Sequence, residues 1–251
     1  MNKVLLLTLV LVLVMGLMST NGAAQLLLEN HYLVYEVPEI YVFTADIVLG
    51  DQFGSFATPE VILDKFATPV SKNGEPVFDP GAHQTWWEIY DPQSTWWTLI
   101  ANQFGQQRWQ VKDGRYLVLP ALKNMPGSPP LFNHYKCYDA VGPAMNIPVL
   151  LVDQFGTRQM VATNPRLFCN PVEKTVNGIH YPTVVDPETH LACYELQPPM
   201  AYGLPVMALD QFGEWLVTPL EPCWLCLPTT KLQAVPAEPQ TWGKIKSLYS
   251  D

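Results

Sequence analysis

The same four-residue motif, Asp/Asn-Gln-Phe-Gly, occurs four times in the chain. The copies begin at Asp51, Asn102, Asp153 and Asp210, so they are spaced by 51, 51 and 57 residues. Two further signatures accompany every copy: a histidine 19 or 20 residues before it and a Pro-x-x-Lys segment after it. Self-similarity at a nearly fixed period is typical of a protein built from repeated structural units. The sequence therefore predicts four units of about 50 residues each.

The motif itself has the chemistry of a tight turn between two strands. Apolar runs flank the copies, as in I-P-V-L-L-V before Asp153. An Asp or Asn at the first turn position can accept a hydrogen bond from the backbone two residues on, and a Gly at the fourth position can adopt positive φ and close a hairpin. A calcium or sugar site at the four tip side chains is the alternative. We predict turn-forming roles for Asp51, Gly54, Asn102, Gly105, Asp153, Gly156, Asp210 and Gly213.

Composition predicts an all-β fold. The 24 Pro and 15 Gly residues are scattered among short apolar runs, which is typical of many turns and few helices, and eight Trp residues can fill a core. Repeats one and three share a tail that repeats two and four lack, so the units are expected to pair. We predict two tandem β-sandwich or barrel domains, 31–130 (repeats 1 and 2) and 134–235 (repeats 3 and 4). The alternative is a single four-bladed β-propeller.

Four of the five cysteines occupy equivalent positions in the repeats. Cys137 and Cys169 stand in the opening and closing blocks of repeat three, and Cys193 and Cys226 stand in those of repeat four. In repeats one and two both positions are apolar together, which indicates a contact within one repeat. We therefore predict the disulfides Cys137–Cys169 and Cys193–Cys226, each joining the first strand of a repeat to its last. Exported proteins can keep such bonds.

Cys223 is left over, three residues before Cys226. A C-x-x-C redox pair usually opens a helix after a strand, whereas the stretch E-P-C-W-L-C-L-P has the pattern of a strand. We predict a buried or unpaired thiol at Cys223. A redox pair and an intermolecular disulfide are the alternatives.

The chain begins with a segment typical of secretory signal peptides. Lys3 is followed by an apolar run from Val4 to Met18 and then by small residues before Gln25. We expect residues 1–24 to be removed on export, with an uncleaved N-terminal anchor as the alternative. No later apolar run is long enough to span a membrane, so we expect a secreted, periplasmic or cell-surface protein. In the tail 236–251, the spacing of apolar residues predicts a short helix.

The sequence favours a non-enzymatic protein. A net charge of −9 without a basic stripe argues against nucleic acid as a partner. No catalytic, metal-binding or cofactor-binding motif is present, so we nominate no catalytic residue, metal or cofactor. The histidines occur one per repeat, so we expect them to bond backbone at strand entrances rather than to bind metal.

Two functional hypotheses follow. The first is a structural, adhesive or binding role at the cell surface or envelope, toward a surface protein or a polysaccharide. The alternative is a carbohydrate- or other ligand-binding module, or a hydrolase, because Trp rings stack on sugars. That alternative would use a Trp-rich face of repeat two formed by Trp86, Trp96, Trp97 and Trp109.

The order H-x-x-C-Y, D-Q-F-G and C-x-P-x-x-K resembles the repeats of an uncharacterised family of exported bacterial proteins, which are assigned to a domain of unknown function. The resemblance covers most of 31–231 and is fullest in repeats three and four. Repeats one and two lack the cysteines, and Asn102 replaces Asp in repeat two. The resemblance implies export and repetition, and it brings no activity or catalytic residue.

Overall fold

The computed structural model describes residues 29–198 and 203–232, which form fourteen β-strands and no α-helix. The all-β prediction is confirmed for this part of the chain. The expected signal peptide and the expected helix in the tail 236–251 lie outside the described residues. The strands are β1 (His31–Asp51), β2 (Gly54–Lys72), β3 (His83–Asp91), β4 (Trp96–Asn102), β5 (Gly105–Lys123), β6 (Tyr135–Val141), β7 (Ile147–Asp153), β8 (Gly156–Pro171), β9 (Glu173–Val176), β10 (Ile179–Tyr181), β11 (Thr189–Gln197), β12 (Val206–Asp210), β13 (Gly213–Val217) and β14 (Pro222–Leu232).

Each repeat contains a hairpin with the Asp/Asn-Gln-Phe-Gly motif at its tip. The four hairpins are β1–β2, β4–β5, β7–β8 and β12–β13. At every tip the first side chain accepts a hydrogen bond from the backbone N–H of the Phe, as Asp51 does from Phe53 at 2.9 Å. The Gly has a positive φ, for example +132° at Gly54. Turn chemistry therefore fixes both ends of the motif.

Eight of the strands close into one ring. Each repeat supplies an opening strand and a closing strand, and all neighbours are antiparallel. The order around the ring is β1, β2, β3, β5, β6, β8, β11 and β14, after which β14 pairs again with β1. Closure satisfies the backbone hydrogen bonds that the edges of an open sheet would leave unpaired.

The ladders run across the boundary that the sequence places between repeats two and three. β5 pairs with β6 from Gln110 opposite Val141 to Val118 opposite Tyr135, and β14 pairs with β1 on the other side. The sheet itself therefore does not separate 31–130 from 134–235. Two repeats alone would supply four ring strands with two long free edges, and pairing with the other two repeats removes those edges. Neighbouring repeats are hydrogen-bonded edge to edge, unlike the separate blades of a propeller.

The hairpins extend beyond the ring as arms, and each arm pairs with the repeat two positions away. β7 of repeat three pairs with the end of β2, and β9, which follows repeat three, pairs with β1. Likewise β4 of repeat two pairs with β14, and β12 of repeat four pairs with β5. Opposite repeats thus exchange arms reciprocally.

Left-handed asparagines hold three of these arm junctions. Asn73 has φ +55°; its N–H donates to the carbonyl of Leu150, and its Oδ1 accepts from the N–H of the same residue, both at 2.8 Å. Asn124 makes the same two bonds with Met207. Asn tolerates this backbone conformation better than most residues. The third pair is Asn177 with Asp46.

Apolar side chains form three clusters, one inside the ring and two outside it. The inner cluster receives side chains from all eight ring strands, among them Tyr32 and Trp86. The outer clusters lie between the ring and the arms, and they contain Tyr35 on one side and Trp87 on the other. Successive strand residues point to opposite faces, so Trp86 fills the interior while Trp87 packs beneath an arm.

The structure contains the disulfides Cys137–Cys169 and Cys193–Cys226. All four cysteines lie in the inner cluster without exposed surface, and each bond joins directly paired residues of adjacent strands. Sulfur pairs and apolar pairs therefore build one layer of the ring interior. The equivalent pairs of repeats one and two are Val34 with Ala67 and Trp86 with Val118.

Candidate functional site

The first side chain of each motif reaches the repeat opposite its own. Asp51 Oδ2 accepts a hydrogen bond from the Tyr138 hydroxyl at 2.7 Å, and Asp153 Oδ2 accepts one from the Tyr35 hydroxyl at 2.6 Å. Repeats one and three are therefore linked in both directions. The corresponding bonds between repeats two and four run from Asn102 Nδ2 to the Tyr194 hydroxyl oxygen and from Trp87 Nε1 to Asp210 Oδ2.

The Phe of each motif packs edge-on against the same aromatic residue, and this geometry is favourable for ring pairs. In repeat one the centroids of Phe53 and Tyr138 are 5.1 Å apart. The other three pairs are Phe104 with Tyr194, Phe155 with Tyr35 and Phe212 with Trp87, at 5.0, 5.4 and 5.2 Å.

The lysine of each Pro-x-x-Lys segment lies over the motif Phe of the next repeat around the ring. The distances from Nζ to the ring centre are 4.5 to 5.8 Å, which is the range of cation–π contacts. The proline–lysine signature is thus part of the same set of contacts between repeats. The pairs are Lys72 with Phe104, Lys123 with Phe155, Lys174 with Phe212 and Lys231 with Phe53.

Three repeat histidines contact the motif glutamine of the next repeat. The ring nitrogen Nε2 lies 2.9 to 3.3 Å from the amide in the pairs His31 with Gln103, His83 with Gln154 and His190 with Gln52. Burial is the largest influence on all three imidazoles and lowers each pKa, to about 4 for His190. Within residues 29–198 and 203–232, no three His, Cys, Asp or Glu side chains group as a metal site would require.

Cys223 is a half-buried free thiol beside the ring. Its Sγ donates to the carbonyl oxygen of Val34 at 3.3 Å, and burial raises the pKa of the thiol well above its usual value. The thiolate is the reactive form of cysteine, so this environment makes Cys223 a poor nucleophile. Cys226, the second member of the C-x-x-C pattern, is bonded to Cys193.

The four Trp residues considered as a ligand face point in different directions. Trp86 fills the ring interior and Trp109 lies in an outer cluster, and neither has exposed surface. Trp96 stacks on Phe53 at 4.6 Å between centroids. Trp97 is 57% exposed, with the guanidinium of Arg108 4.5 Å from its ring centre. The structure does not bring these four rings together on one face.

A cleft of about 210 Å³ opens at the mouth of the ring where the opening strands begin. Phe78, Leu131 and Val185 line it and are 55, 81 and 50% exposed. The carboxyl groups of Glu29 and Asp186 belong to the same lining. Exposed apolar side chains gathered at one place are typical of a contact surface. We therefore take this cleft as the candidate binding site of the described chain.

Glu29 closes the ring interior at this mouth. Its carboxylate accepts hydrogen bonds from the hydroxyls of Tyr32 at 2.8 Å and Tyr135 at 3.0 Å, which belong to opposite repeats, and from the backbone N–H of Asn30 at 2.9 Å. Burial raises the pKa of Glu29 to about 7; the hydrogen bonds oppose this rise and the charge of Asp186 adds to it. The cleft therefore contains a carboxyl group that changes charge near neutral pH.

We predict that Glu29 makes the protein less stable as the pH rises from about 4.5 to about 7. The pKa is higher in the folded state than in the unfolded state, so the extra stability is complete below the unfolded value and is lost through the folded value. The loss should be about 3 kcal/mol, and Glu29→Gln should remove it. Denaturant unfolding across this pH range measures the difference, with the exposed Glu60→Gln as control. A difference between wild type and Glu29→Gln that stays constant with pH would contradict the prediction.

Two equivalent asparagines hold the loops that frame the cleft. Asn30 Oδ1 accepts from the backbone N–H groups of Phe78 and Asp79, and Asn133 Oδ1 accepts from those of Val185 and Asp186. Each Nδ2 donates to the backbone carbonyl of the Asp in its own loop. Sequence reasoning missed this site, although N-H-Y at 30–32 and 133–135 and D-P at 79–80 and 186–187 mark both of its loops.

Lys174, the closing lysine of repeat three, is fully buried. Its Nζ lies 4.5 Å from the centre of the Phe212 ring and has no hydrogen-bond partner among the described residues. Burial lowers the pKa of Lys174 to about 7, and the nearby carboxylate of Asp210 opposes this fall. The charged ammonium group therefore destabilises the folded state.

We predict that Lys174→Met stabilises the protein at neutral pH. The pKa of Lys174 is depressed in the folded state, so its cost is complete below about pH 7 and disappears as the pH rises toward about 10.5. Met keeps the apolar contacts, and the gain at pH 7 should be on the order of 3 kcal/mol. Denaturant unfolding at neutral and alkaline pH measures it. Lys123→Met, at the same position of repeat two, is the control; a Lys174→Met chain less stable than wild type at pH 7 would overturn this prediction.

Comparison with known proteins gives a family and no activity. Among the residues that the structure describes, no helix has the length and apolar character needed to cross a membrane. A family model described as a repeat of unknown function (DUF7450) matches residues 83–228, which span repeats two to four. No curated protein matches the chain, and no solved structure matches it.

Proposed function

We propose a surface role for this chain, which belongs to the DUF7450 family of repeats of unknown function. It is an exported, non-enzymatic protein with a structural, adhesive or binding role at the cell surface or envelope. The observation that carries the proposal is the use of the repeated side chains. The motif Asp and Phe residues and the closing lysines contact other repeats, as Asp51 and Phe53 contact Tyr138.

Two further features support this role. Disulfides persist in oxidising compartments outside the cytoplasm, and two of them lie in the ring interior. Reciprocal arms and a closed sheet restrain all four repeats relative to one another, as suits a module that must keep its shape without a protecting environment. The buried, high-pKa thiol of Cys223 is unsuited to a redox function.

Export and oxidation can be tested together on the full chain. Cells that express it with a C-terminal tag are fractionated, and the purified chain is peptide-mapped under non-reducing conditions. We expect the chain outside the cytoplasm, with Cys137 linked to Cys169, Cys193 linked to Cys226, and Cys223 free. A chain lacking residues 1–24 is the cytoplasmic control. Retention of the full chain in the cytoplasm with reduced cysteines would refute the proposal.

A sugar-binding role remains the second candidate, because Trp97 is exposed beside the guanidinium of Arg108. Pelleting of the purified chain with isolated envelopes and with purified polysaccharides tests it, using Trp97→Ala and the exposed Tyr90→Ala as matched variants. Under the first proposal both variants pellet with envelopes as wild type does. Loss of polysaccharide binding in Trp97→Ala alone would instead favour the second candidate.

A further inference from the structure

The two sides of the cleft at the Glu29 mouth are related by the repeat symmetry. Asn30 in repeat one and Asn133 in repeat three make the same bonds to their loops. Tyr32 and Tyr135, two residues further along each strand, donate to the same carboxylate. Phe132 precedes Asn133 as Glu29 precedes Asn30, so Phe132 and Glu29 hold equivalent positions.

In the half formed by repeat three, the chain that leads into the opening strand covers the loop of repeat one. The ring of Phe132 meets the ring of Phe78 edge-on at 6.4 Å between centroids, and Leu131 lines the cleft beside it. The same relation places Glu29 near the loop that contains Val185, which is the equivalent of Phe78. The residue equivalent to Leu131 is then Leu28.

The residues before Glu29 have the chemistry that this half of the cleft lacks among the described residues. They read Gln25-Leu26-Leu27-Leu28, and Glu29 itself lines the cleft, so the preceding segment enters the fold at this point. Three residues span roughly 10 Å, which matches a cleft of about 210 Å³. Burying apolar leucines against the half-exposed Val185 and Phe78 removes apolar surface from water.

We infer that Leu26–Leu28 occupies the cleft, with Leu28 against Val185 as Phe132 lies against Phe78. The start of the exported chain thereby completes the ring mouth, and the carboxyl group of Glu29 is enclosed between this segment and the two tyrosines. The inference goes beyond the proposed surface role and does not depend on it, because it concerns a contact within the chain.

Cross-linking tests this contact directly. Leu28→Cys is combined with Val185→Cys in the full chain carrying Cys223→Ser, and the chain is oxidised and mapped by mass spectrometry. The control combines Leu28→Cys with Val141→Cys, which is similarly exposed at the far end of β6. We expect an intramolecular link between positions 28 and 185 and none between 28 and 141. The two native disulfides in the same map verify folding.

The other outcomes overturn the inference. A disulfide-linked dimer through position 185 would assign the cleft to a second copy of the chain. Absence of any link between positions 28 and 185 in chains with both native disulfides would leave the segment elsewhere.

Amide exchange supplies an independent readout. The triple variant Leu26→Ser, Leu27→Ser and Leu28→Ser should speed exchange at the N–H groups of Phe78 and Val185 several-fold and lower Tm by several degrees. Ile40→Ser removes a 79% exposed side chain and is the control. Exchange rates in the triple variant equal to those of Ile40→Ser would contradict the docking of Leu26–Leu28.

Discussion

Asp210→Ala should lower the free energy of unfolding by about 4 kcal/mol, as expected when a buried hydrogen-bond network loses its acceptor. The carboxylate of Asp210 is buried and accepts bonds from the Thr85 hydroxyl at 2.6 Å and from the indole N–H groups of Trp87 and Trp215 at 3.1 Å each. It also accepts the backbone N–H of Phe212 at 2.7 Å. Alanine would leave all of these donors without an acceptor.

Equilibrium urea unfolding measures this effect, and Glu214→Ala is the control because its side chain is exposed in the same hairpin. The control should stay within about 0.5 kcal/mol of wild type. A loss below about 1 kcal/mol for Asp210→Ala would show that its bonds to repeat two contribute little.

Removal of both disulfides should cost on the order of 6 kcal/mol, since each closes a loop of about 33 residues and contributes about 3 kcal/mol. The repeats themselves suggest the substitutions with least disturbance of packing. Cys137→Val with Cys169→Ala copies the pair Val34 and Ala67 found in repeat one. The same exchange at Cys193 and Cys226 removes the second bond.

Urea unfolding of the single-bond and double-bond variants measures the two contributions, and Cys223→Ser controls for the loss of a thiol. The cross-links act chiefly on the unfolded chain, so the folded spectrum of each variant should match that of wild type. Variants as stable as wild type would mean that the bonds do not restrain the unfolded state.

The turns could be predicted from the sequence because their causes are local. The side-chain acceptor at Asp51 and the positive φ at Gly54 depend on residues within one tetrapeptide. The disulfide partners also left a signal, because the pairs at positions 34/67 and 86/118 are apolar together where the later repeats have cysteine. Comparison of the copies thus indicated a contact between residues more than 30 positions apart.

The closed ring could not be predicted in the same way. Four copies of a two-strand unit can pair within each half or around a circle, and the local pattern of each strand is the same in both cases. The choice is made by long-range pairings such as β14 with β1, which join the two ends of the described chain. The cleft escaped prediction for a related reason: Glu29 lies before the first repeat and acts only when folding brings it to Tyr135.

The motif therefore has two structural roles at once. Asp51 uses Oδ1 to form its own turn and Oδ2 to bind Tyr138 of the opposite repeat. A glycine-closed hairpin alone would need only the first of these contacts. The second explains why aromatic residues recur at the end of each opening block, at Tyr35, Trp87, Tyr138 and Tyr194.

A double-mutant cycle on Asp51 and Tyr138 tests most directly whether these side chains join opposite repeats. Asp51→Ala, Tyr138→Phe and the double variant are unfolded in urea beside wild type; the Phe keeps the ring that packs on Phe53, and the loss of the turn cancels in the cycle. The account predicts a coupling free energy of about 1–2 kcal/mol, as for a hydrogen bond to a charged group. A coupling of zero would show that the motif forms turns and does not hold the repeats together.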